Sequence, residues 1–548
     1  MATRLKPKLL SVMKTYTKEQ FFKDIIAGLI VAIIALPLSI ALAISSGVSP
    51  EQGFYTAIVA GFFISLLGGS RVQIGGPSAT FMVVVYSVVS THGTEGLFIT
   101  TILAGMILIL FGLLKLGSVI KYIPYPITVG FTSGIALTIF SSQIKDFLGM
   151  DLSSVPISFV NKWKLYFTSL DHIQLEPTII GIIALAILII WPRVNKKIPA
   201  SLISIIVTTL IVFFLKLDVQ TIGTQYANLS SVFPIPSIPQ ITWNKIEALL
   251  SPAFTIAFLC SLESLLSAVV SDGMIGSKHR SNMELVAEGV ANIASGLFGG
   301  MPATGAMART IANIKNGGRT PVAGIVHALT LLTILLFLMP LVKMIPLATL
   351  AAILIIVSYN MSEWRMFKNL LSAPLSDVIV LLATFFLTVL FDLTVSISVG
   401  MILAAFLFMK RMTDVTNIQG IEINDDEEDE LIHLEEEVLL DEILIYEVNG
   451  PFFFGAADKF LDSIQSLQGP SKVLIIRLRN VPLIDATAIH ALKLLHHNCL
   501  RSHTTLILSE VKDKPYQVIK RTGLVYEIGR SQVCQNFSQA IARAKQLI

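Results

Sequence analysis

Long apolar stretches recur along this chain of 548 residues, and short polar loops separate them. A helix that crosses a bilayer needs about 20 apolar residues, and fewer where neighbouring protein shields it. The stretches that approach this length predict spanning helices at Ile25–Ile44, Gly53–Leu67, Leu97–Leu114, Ile127–Ile144, Pro177–Trp191, Leu202–Leu215, Ala253–Val270, Leu285–Phe298, Pro321–Met339, Pro346–Tyr359, Val378–Phe391 and Leu393–Met409. Two shorter stretches, Pro77–Ser90 and Ala306–Ile314, begin at proline or directly after glycine. The pattern therefore predicts a polytopic α-helical membrane protein with about fourteen full or partial crossings.

The composition supports this fold class. Hydrophobic residues make up 53% of the chain and charged residues 14%, whereas a soluble globular chain is typically about 25% charged. The net charge of +3 is too small to indicate binding to nucleic acid. The cysteines Cys260, Cys499 and Cys534 lack the paired spacing of disulfide frameworks or zinc sites, so no metal or other cofactor is predicted.

Lysine and arginine residues concentrate in alternate loops between the predicted helices. They stand at Arg71, Lys115, Lys121, Arg193, Lys196, Lys197, Lys278, Arg280, Lys315, Arg319, Arg365, Lys368, Lys410 and Arg411. The intervening loops, such as 46–53 and 218–242, are nearly free of them. Because cytoplasmic loops carry this excess, residues 1–23 are predicted as a cytoplasmic lead-in and 24–411 as a transmembrane domain. The same rule predicts a multi-pass protein of the cell (inner) membrane with both termini in the cytoplasm.

The two short stretches stand in matching positions of two halves of the chain. The sequence "LLGG" at Leu66–Gly69 is followed by "SRVQIGGPSATF", and "LFGG" at Leu297–Gly300 is followed by "MPATGAMARTI". Interrupted helices in corresponding places are typical of transporters built from inverted repeats. The sequence predicts repeats at about 24–216 and 250–411, with a binding site between the broken helices. The alternative is that glycine and proline are simply common in membrane helices.

The character of the chain changes after Arg411. The acidic segment 412–437 predicts a solvated linker. Runs rich in β-branched residues at 442–450, 472–480 and 504–511 then alternate with helical patterns. This alternation predicts a small α/β domain over 438–548. We expect it on the cytoplasmic side because the last predicted span ends at Lys410 and Arg411.

Each broken helix would expose backbone N–H groups near the middle of the bilayer. These groups lack intrahelical acceptors, and the helix dipole leaves about half a positive charge there. Small residues let a ligand approach the backbone, so the two helix starts predict a site for an anion with oxygen acceptors. The residues expected at these starts are Ser78, Ala79, Thr80, Gly305, Met307 and Ala308.

Two charged side chains fall within the apolar segments. A cation at the bilayer centre costs at least about 2.5–3.5 kcal/mol, so we expect Arg309 to attract an anion. The alternatives are a structural ion pair and a side chain that extends to the cytoplasmic face. Glu263 lies midway along an apolar span with Ser267 one turn away. We expect these two residues to bind a coupling ion, H⁺ or less readily Na⁺, with a static partner for Arg309 as the alternative. Ser39, two residues after Pro37, is expected to face the site, with plain packing as the alternative.

No nucleophile–base pair, nucleotide-binding motif or metal-ligand spacing is present in the sequence. The protein is therefore not expected to be an enzyme, and a primary pump is disfavoured.

Three segments resemble the sulfate permease (SulP) family: "ALPLSIALAISSGVSPEQGFYTAIVAGFFISLLGGSRVQIGGPSATF", "LESLLSAVVSDGMIGSKHRSNMELVAEGVANIASGLFGGMPATGAMARTIANIKNGGRTPVAGIVH" and "VPLIDATAIHAL". The last of these is similar to a STAS domain. The resemblance implies a seven-plus-seven inverted repeat, in which a core domain moves against a gate domain, followed by the small α/β STAS domain. It also implies a homodimer, and it places Leu38 and Leu42 in the lining of the site with Ser78, Ala79, Ala308 and Arg309.

The resemblance also bears on the coupling ion. Sodium-coupled bicarbonate members of the family have an aspartate at the position of Glu263 and a threonine near Met307. This chain has neither, which favours H⁺ over Na⁺.

These observations lead to one functional hypothesis. The protein is expected to be a secondary active transporter of a sulfate-class inorganic anion, coupled to protons and working by alternating access. Bicarbonate or C4-dicarboxylate transport and channel-like anion conduction are alternatives, as is a role for the STAS domain in docking a cytoplasmic protein partner. Nucleobase transport fits less well, because Arg309 suits a charged ligand.

Overall fold

A computed structural model describes residues 5–118, 124–152, 155–156, 158–195, 198–226, 229–391, 393–420, 442–465 and 471–548. Residues 1–4 of the predicted lead-in, residues 421–437 of the predicted linker and the loop residues Lys121, Lys196 and Lys197 lie outside these ranges. The chain divides into two compact units, Met1–Met401 and Ile402–Ile548.

The first unit is almost entirely helical in its described residues. Its first half contains α1 (Leu9–Val12), α2 (Lys18–Ser45), α3 (Pro50–Leu67), β1 (Gly75–Pro77), α4 (Met82–Leu113), α5 (Tyr125–Phe147), α6 (Phe159–Thr168), α7 (Leu175–Val194), α8 (Ala200–Leu215) and α9 (Ile222–Gln225). Its second half contains α10 (Trp243–Ile275), α11 (Ser281–Leu297), β2 (Ala303–Gly305), α12 (Met307–Lys315), α13 (Val322–Phe337), α14 (Met339–Val342), α15 (Leu347–Met361), α16 (Trp364–Leu370), α17 (Leu375–Leu390) and α18 (Leu393–Val415). Helix α18 contains the boundary between the units.

Seven helices of the described residues are long and apolar enough to cross a membrane, and α8, α13 and α17 are shorter apolar helices. The predicted short stretch Pro77–Ser90 begins in β1 and continues into α4, which also contains all but the last residue of the predicted span Leu97–Leu114. That helix is interrupted at Gly93, which has φ 68° and ψ −175°. The two predicted segments are therefore distinct helices joined by a sharp break.

Side chains near the chain start fix where α2 begins and what it contacts. Thr17 caps α2 by accepting the N–H of Gln20 at 3.2 Å, as short polar residues do at helix starts. Asp24 is fully buried and accepts the N–H of Arg319 at 2.9 Å and the hydroxyl of Thr320 at 2.5 Å. These bonds attach α2 to the loop that follows α12.

The second unit contains a sheet flanked by helices. Its elements are β3 (Asn417–Gly420), β4 (Ile443–Asn449), α19 (Phe454–Gln465), β5 (Val473–Asn480), α20 (Ala486–Arg501), β6 (Thr505–Ser509), α21 (Asp513–Arg521), α22 (Leu524–Ile528), β7 (Val533–Cys534) and α23 (Phe537–Lys545). The strand order is β3-β4-β5-β6-β7, with β3 antiparallel to β4 and the other pairs parallel.

Both faces of this sheet are covered. Phe452, Phe460 and Leu492 belong to the apolar cluster on one face, and Ile475 and Ala540 to the cluster on the other. Parallel strands buried on both faces read as continuous apolar runs, which is why the sequence revealed β4, β5 and β6. The strand β3 lies inside the segment predicted as linker, because its sequence "NIQG" has no strand-like apolar pattern.

Candidate functional site

Two three-residue strands form the centre of this site. β1 pairs with β2 in antiparallel fashion, with Gly75 opposite Gly305, and all residues of both strands are buried. A helical segment begins directly after each strand, at Ala79 and at Met307. The structure therefore brings together the two broken segments, which are far apart in the sequence.

Side chains of α10 and α11 hold β2 in place. Asn292 Oδ1 accepts the N–H of Ala303 at 2.9 Å, and Asn292 Nδ2 donates to the Ala303 carbonyl at 2.9 Å. One turn earlier on α11, Glu288 Oε1 accepts the N–H of Gly305 at 2.8 Å and the hydroxyl of Ser264 at 2.6 Å. Asn292 and Glu288 are fully buried. Because buried backbone groups need partners, these side chains supply hydrogen bonds that so short a strand cannot obtain from its neighbour alone.

Ser78 links the two halves of the unit. Its Oγ accepts the N–H of Thr80 at 3.3 Å and so caps the helical segment after β1. The same hydroxyl lies 2.8 Å from each carboxylate oxygen of Glu263. Ser267, one turn beyond Glu263 on α10, has a buried hydroxyl with no partner among the described residues. The predicted coupling residue Glu263 therefore contacts the helix start of the other half.

The guanidinium of Arg309 lies at the strand pair. The residue is only 2% exposed, and its Nη2 donates to the Pro77 carbonyl and to the Ser39 hydroxyl, both at 3.2 Å. A Cβ atom added to Gly76 would lie 1.9 Å from Arg309 Nη1, so only glycine leaves room for this approach. Within the described part of the chain, Nη1 has no hydrogen-bond partner. A buried cationic donor with a free N–H group is suited to an anion.

The first turn of α12 adds backbone donors. Met307, Ala308 and Arg309 occupy its first three positions, whose amides have no intrahelical acceptor, and no side chain caps this helix. Ala308 is exposed and Met307 half-buried, so open space borders the turn. Gly305 differs from the expectation, because its N–H is donated to Glu288 and is not available to a ligand.

The predicted residues of α2 fall into two groups. Ser39 is fully buried and contacts Arg309 through its hydroxyl. Leu42 is buried and Leu38 half-buried in the main apolar cluster of the unit, which also contains Ala79. The structure thus gives Ser39 a polar contact at the site, and it places both leucines in apolar packing.

Glu288 and Asn292 were not predicted as site residues from the sequence. A signal for them exists, because Glu284, Glu288 and Asn292 recur at every fourth residue of α11 and so share one face of the helix. Ionisable residues within membrane segments often mark functional positions. Gln73 was also missed. Its Nε2 donates to the Ser264 hydroxyl at 2.7 Å, next to Glu288.

The chain matches the models of two known protein families. A model of the sulfate permease family matches residues 21–384, and a model of the STAS domain matches residues 438–540. The chain belongs to the sulfate permease family. Members of this family are transporters and not enzymes.

Relatives of this SulP protein match it over most of its length. YvdB of Bacillus subtilis, which is named as a sulfate transporter, is 39% identical over 94% of this chain and 96% of its own. The bicarbonate transporter BicA of a Picosynechococcus species is 32% identical over 86% of this chain and 85% of its own.

A solved structure supports the fold. Murine Solute Carrier 26 family member A9, an anion transporter in the inward-facing state, superposes with a TM-score of 0.88 at 19% identity, over 99% of this chain and 94% of its own. The predicted fold class, a polytopic helical membrane protein followed by a small α/β STAS domain, is confirmed.

Proposed function

We propose that this SulP protein is a secondary active transporter that moves a sulfate-class inorganic anion together with protons by alternating access. The observation that carries the proposal is the buried guanidinium of Arg309, whose Nη1 lacks a partner among the described residues. The uncapped amides of Met307 and Ala308 start the same helical turn. An oxyanion supplies several acceptor oxygens to such a set of donors, and the helix dipole favours its charge.

Glu263 is proposed to carry a coupling proton, with Ser267 beside it. Its carboxylate is held by the Ser78 hydroxyl at 2.8 Å, and it interacts electrostatically with Arg309. A proton on Glu263 removes a negative charge from the neighbourhood of the entering anion. Since charge is expensive within a bilayer, anion and proton then favour each other's binding, as a symporter requires.

The assembly and location of the protein are part of the proposal. Family membership and the apolar helices make it a multi-pass membrane protein. We propose that it lies in the cell (inner) membrane with both termini in the cytoplasm, that it works as a homodimer, and that the STAS domain binds a cytoplasmic protein partner.

Bicarbonate is the second candidate substrate, and the likeness to BicA favours it. Sulfate ranks first because the relative named as a sulfate transporter is more similar, at 39% identity against 32%. The Arg309 site offers no geometry that separates the two, because both anions present oxygens to N–H donors.

The test is uptake of labelled sulfate, bicarbonate and fumarate into proteoliposomes under imposed H⁺ or Na⁺ gradients. We expect saturable sulfate uptake with counterflow, driven by an H⁺ gradient. Sodium-driven uptake of bicarbonate or fumarate without sulfate uptake would show that the substrate is that anion and not sulfate. Uptake without saturation or counterflow would indicate a channel-like conductor, and purified protein that moves only neutral solutes would overturn the proposal.

Two variants examine the site itself. Glu263→Gln should abolish proton-driven accumulation, whereas the control Glu247→Gln, at an exposed position of the same helix, should not. Arg309→Ala should weaken apparent sulfate affinity about 10- to 100-fold, as expected for the roughly 1.5–3 kcal/mol of a hydrogen bond to a charged group. The exposed Arg193→Ala is its control. Normal affinity in Arg309→Ala would assign that residue to structure alone.

A further inference from the structure

His327 is a buried imidazole that the mechanism above does not use. It lies in the second turn of α13 and is fully buried. Neither Nδ1 nor Nε2 has a hydrogen-bond partner among the described residues. Leaving a buried polar group unpaired is costly, so a histidine at this position needs an explanation beyond packing.

The imidazole lies close to the anion site. A Cβ atom added to Gly61 of α3 would lie 3.8 Å from His327 Cδ2 and 3.1 Å from the Gly75 carbonyl oxygen. The next residue of β1, Gly76, lies against the guanidinium of Arg309. His327 therefore lies beside Gly61, which also faces Gly75, and Gly75 is the chain neighbour of the glycine that contacts Arg309.

Among the described residues, the helices α2, α3 and α14, which pack on α13, bring no further charge to His327. Helix α2 contacts α13 through Gly28, which faces Ala323 and Val326. The charged residues of α2 are confined to its first two turns, at Lys18, Glu19, Lys23 and Asp24. Helix α3 faces His327 with Gly61, and its titratable residues Glu51 and Tyr55 lie in its first two turns. The short helix α14 has no charged residue. Through Gly61 and β1, the contacts of His327 lead to the guanidinium of Arg309.

The formal charges of these groups suggest a role. With Arg309 positive, Glu263 negative and the buried Glu288 counted as protonated, the empty site is neutral, and a dianion such as sulfate leaves it at −2. A proton on Glu263 reduces this to −1, and a second proton on a nearby neutral base brings it to zero. A buried site in a membrane is most stable when its charges cancel. A monoanion such as bicarbonate would need only the first proton.

We propose that His327 is the second proton-accepting group of the transport cycle and that its presence suits the site to a divalent oxyanion carried with two protons. The inference rests on the proposed function of the Arg309 site. In the empty protein the imidazole is neutral, because a charge on this fully buried ring would be desolvated and would be repelled by the cationic Arg309 across β1. When the dianion pairs with Arg309, that repulsion is offset, and one ring nitrogen of His327 takes a proton from water on the side that is open. The proton returns to water on the other side when the anion leaves.

The experiment measures coupling stoichiometry in proteoliposomes of the full-length protein. Labelled sulfate is allowed to reach its final accumulation with the lumen one pH unit more alkaline, and the membrane potential is clamped at zero with valinomycin and equal potassium. Two protons per dianion predict about 100-fold accumulation, and one proton predicts about 10-fold, since each proton contributes a factor of ten per pH unit. His327→Gln and His327→Asn should fall from about 100-fold to about 10-fold. The control His172→Gln, at an exposed position, should retain the native value.

Charge movement provides a second readout. Native transport should be electroneutral and insensitive to an imposed potential, whereas His327→Gln should move one net negative charge per cycle and be opposed by an inside-negative potential. Native accumulation of only about 10-fold would overturn the inference even if neither variant folds. The inference would also be overturned if a His327 variant kept the native sulfate accumulation and remained insensitive to the membrane potential. Absence of any sulfate uptake by the native protein would instead overturn the proposed function.

Discussion

Helix α3 of the first half and helix α11 of the second half both end on paired glycines, so their positions can be compared from that end. Seven residues before the first of these glycines, α3 has Gly61 and α11 has Asn292. Fifteen residues before it, α3 has Gly53 and α11 has Glu284. Where one helix carries single hydrogen atoms as side chains, the other carries buried polar groups.

The two kinds of residue do different work. Glycine in α3 permits close approach of neighbouring backbone, whereas Asn292 binds both backbone groups of Ala303. Glu284 reaches into the first half, where its Oε2 accepts the N–H groups of Gly69 and Ser70 at 2.6 and 2.8 Å. At the anion site, the first half thus contributes packing and hydroxyl groups, and the second half supplies the charged residues Glu263 and Arg309.

Gly53→Ala should have the largest effect, because it breaks the packing of the first half. A Cβ atom there would lie 2.1 Å from the Ser39 carbonyl oxygen, which is backbone and cannot move without shifting α2. Overpacking of this kind costs about 1–3 kcal/mol and sometimes more, and we expect the upper end, with loss of monodisperse protein. Thermal unfolding followed by size-exclusion chromatography measures it.

The matched control for this substitution is Gly273→Ala in α10, where no atom lies within 4 Å of the added carbon. Replacing glycine by alanine inside a helix normally stabilises it by roughly 0.5–1 kcal/mol. Equal stability of the two variants would show that α2 and α3 do not require this close approach.

Asn292→Ala tests the second half and should have an intermediate effect. It removes two hydrogen bonds from β2 and leaves the buried N–H and carbonyl groups of Ala303 unpaired. We expect a loss of about 1–3 kcal/mol in stability, together with weaker protection by sulfate against thermal unfolding. Asn292→Asp keeps the acceptor and loses the donor, so it should fall between alanine and the native residue. The exposed Asn161→Ala is the control, and an unchanged sulfate response in Asn292→Ala would separate β2 from the anion site.

Much of this difference between the two halves could be predicted from the sequence, and part of it could not. The apolar stretches predicted the helices because length and hydropathy are local properties, and the repeated paired glycines marked the two broken segments. Arg309 and Glu263 stood out because charges are rare within spans. The pairing of β1 with β2 was not predicted, since three-residue strands of glycine, proline and small residues carry no alternating pattern.

The buried partners of β2 illustrate the remaining difficulty. Glu288 and Asn292 lie within an amphipathic helix, where a polar residue is ordinarily assigned to a solvated face. Only the fold shows that this face is directed at the Ala303 and Gly305 backbone. The same contact explains why Gly305, expected to bind the anion through its N–H, donates to Glu288 instead.

Ser39→Ala should have the smallest effect, and it measures how far the first half assists the charge of the second. The hydroxyl of Ser39 accepts one hydrogen bond of 3.2 Å from Arg309 Nη2. After the substitution, Nη2 still donates to the Pro77 carbonyl. Removing a single bond of this kind costs about 0.5–1.5 kcal/mol, so apparent sulfate affinity should weaken about 2- to 10-fold. Concentration-dependent uptake in proteoliposomes provides the measurement.

Ser271→Ala is the control, because that buried hydroxyl donates only to the Ala268 carbonyl of its own helix. If Ser39→Ala weakened affinity as strongly as Arg309→Ala, the first half would be orienting the guanidinium and not merely accommodating it, and the division of labour between the halves would have to be redrawn.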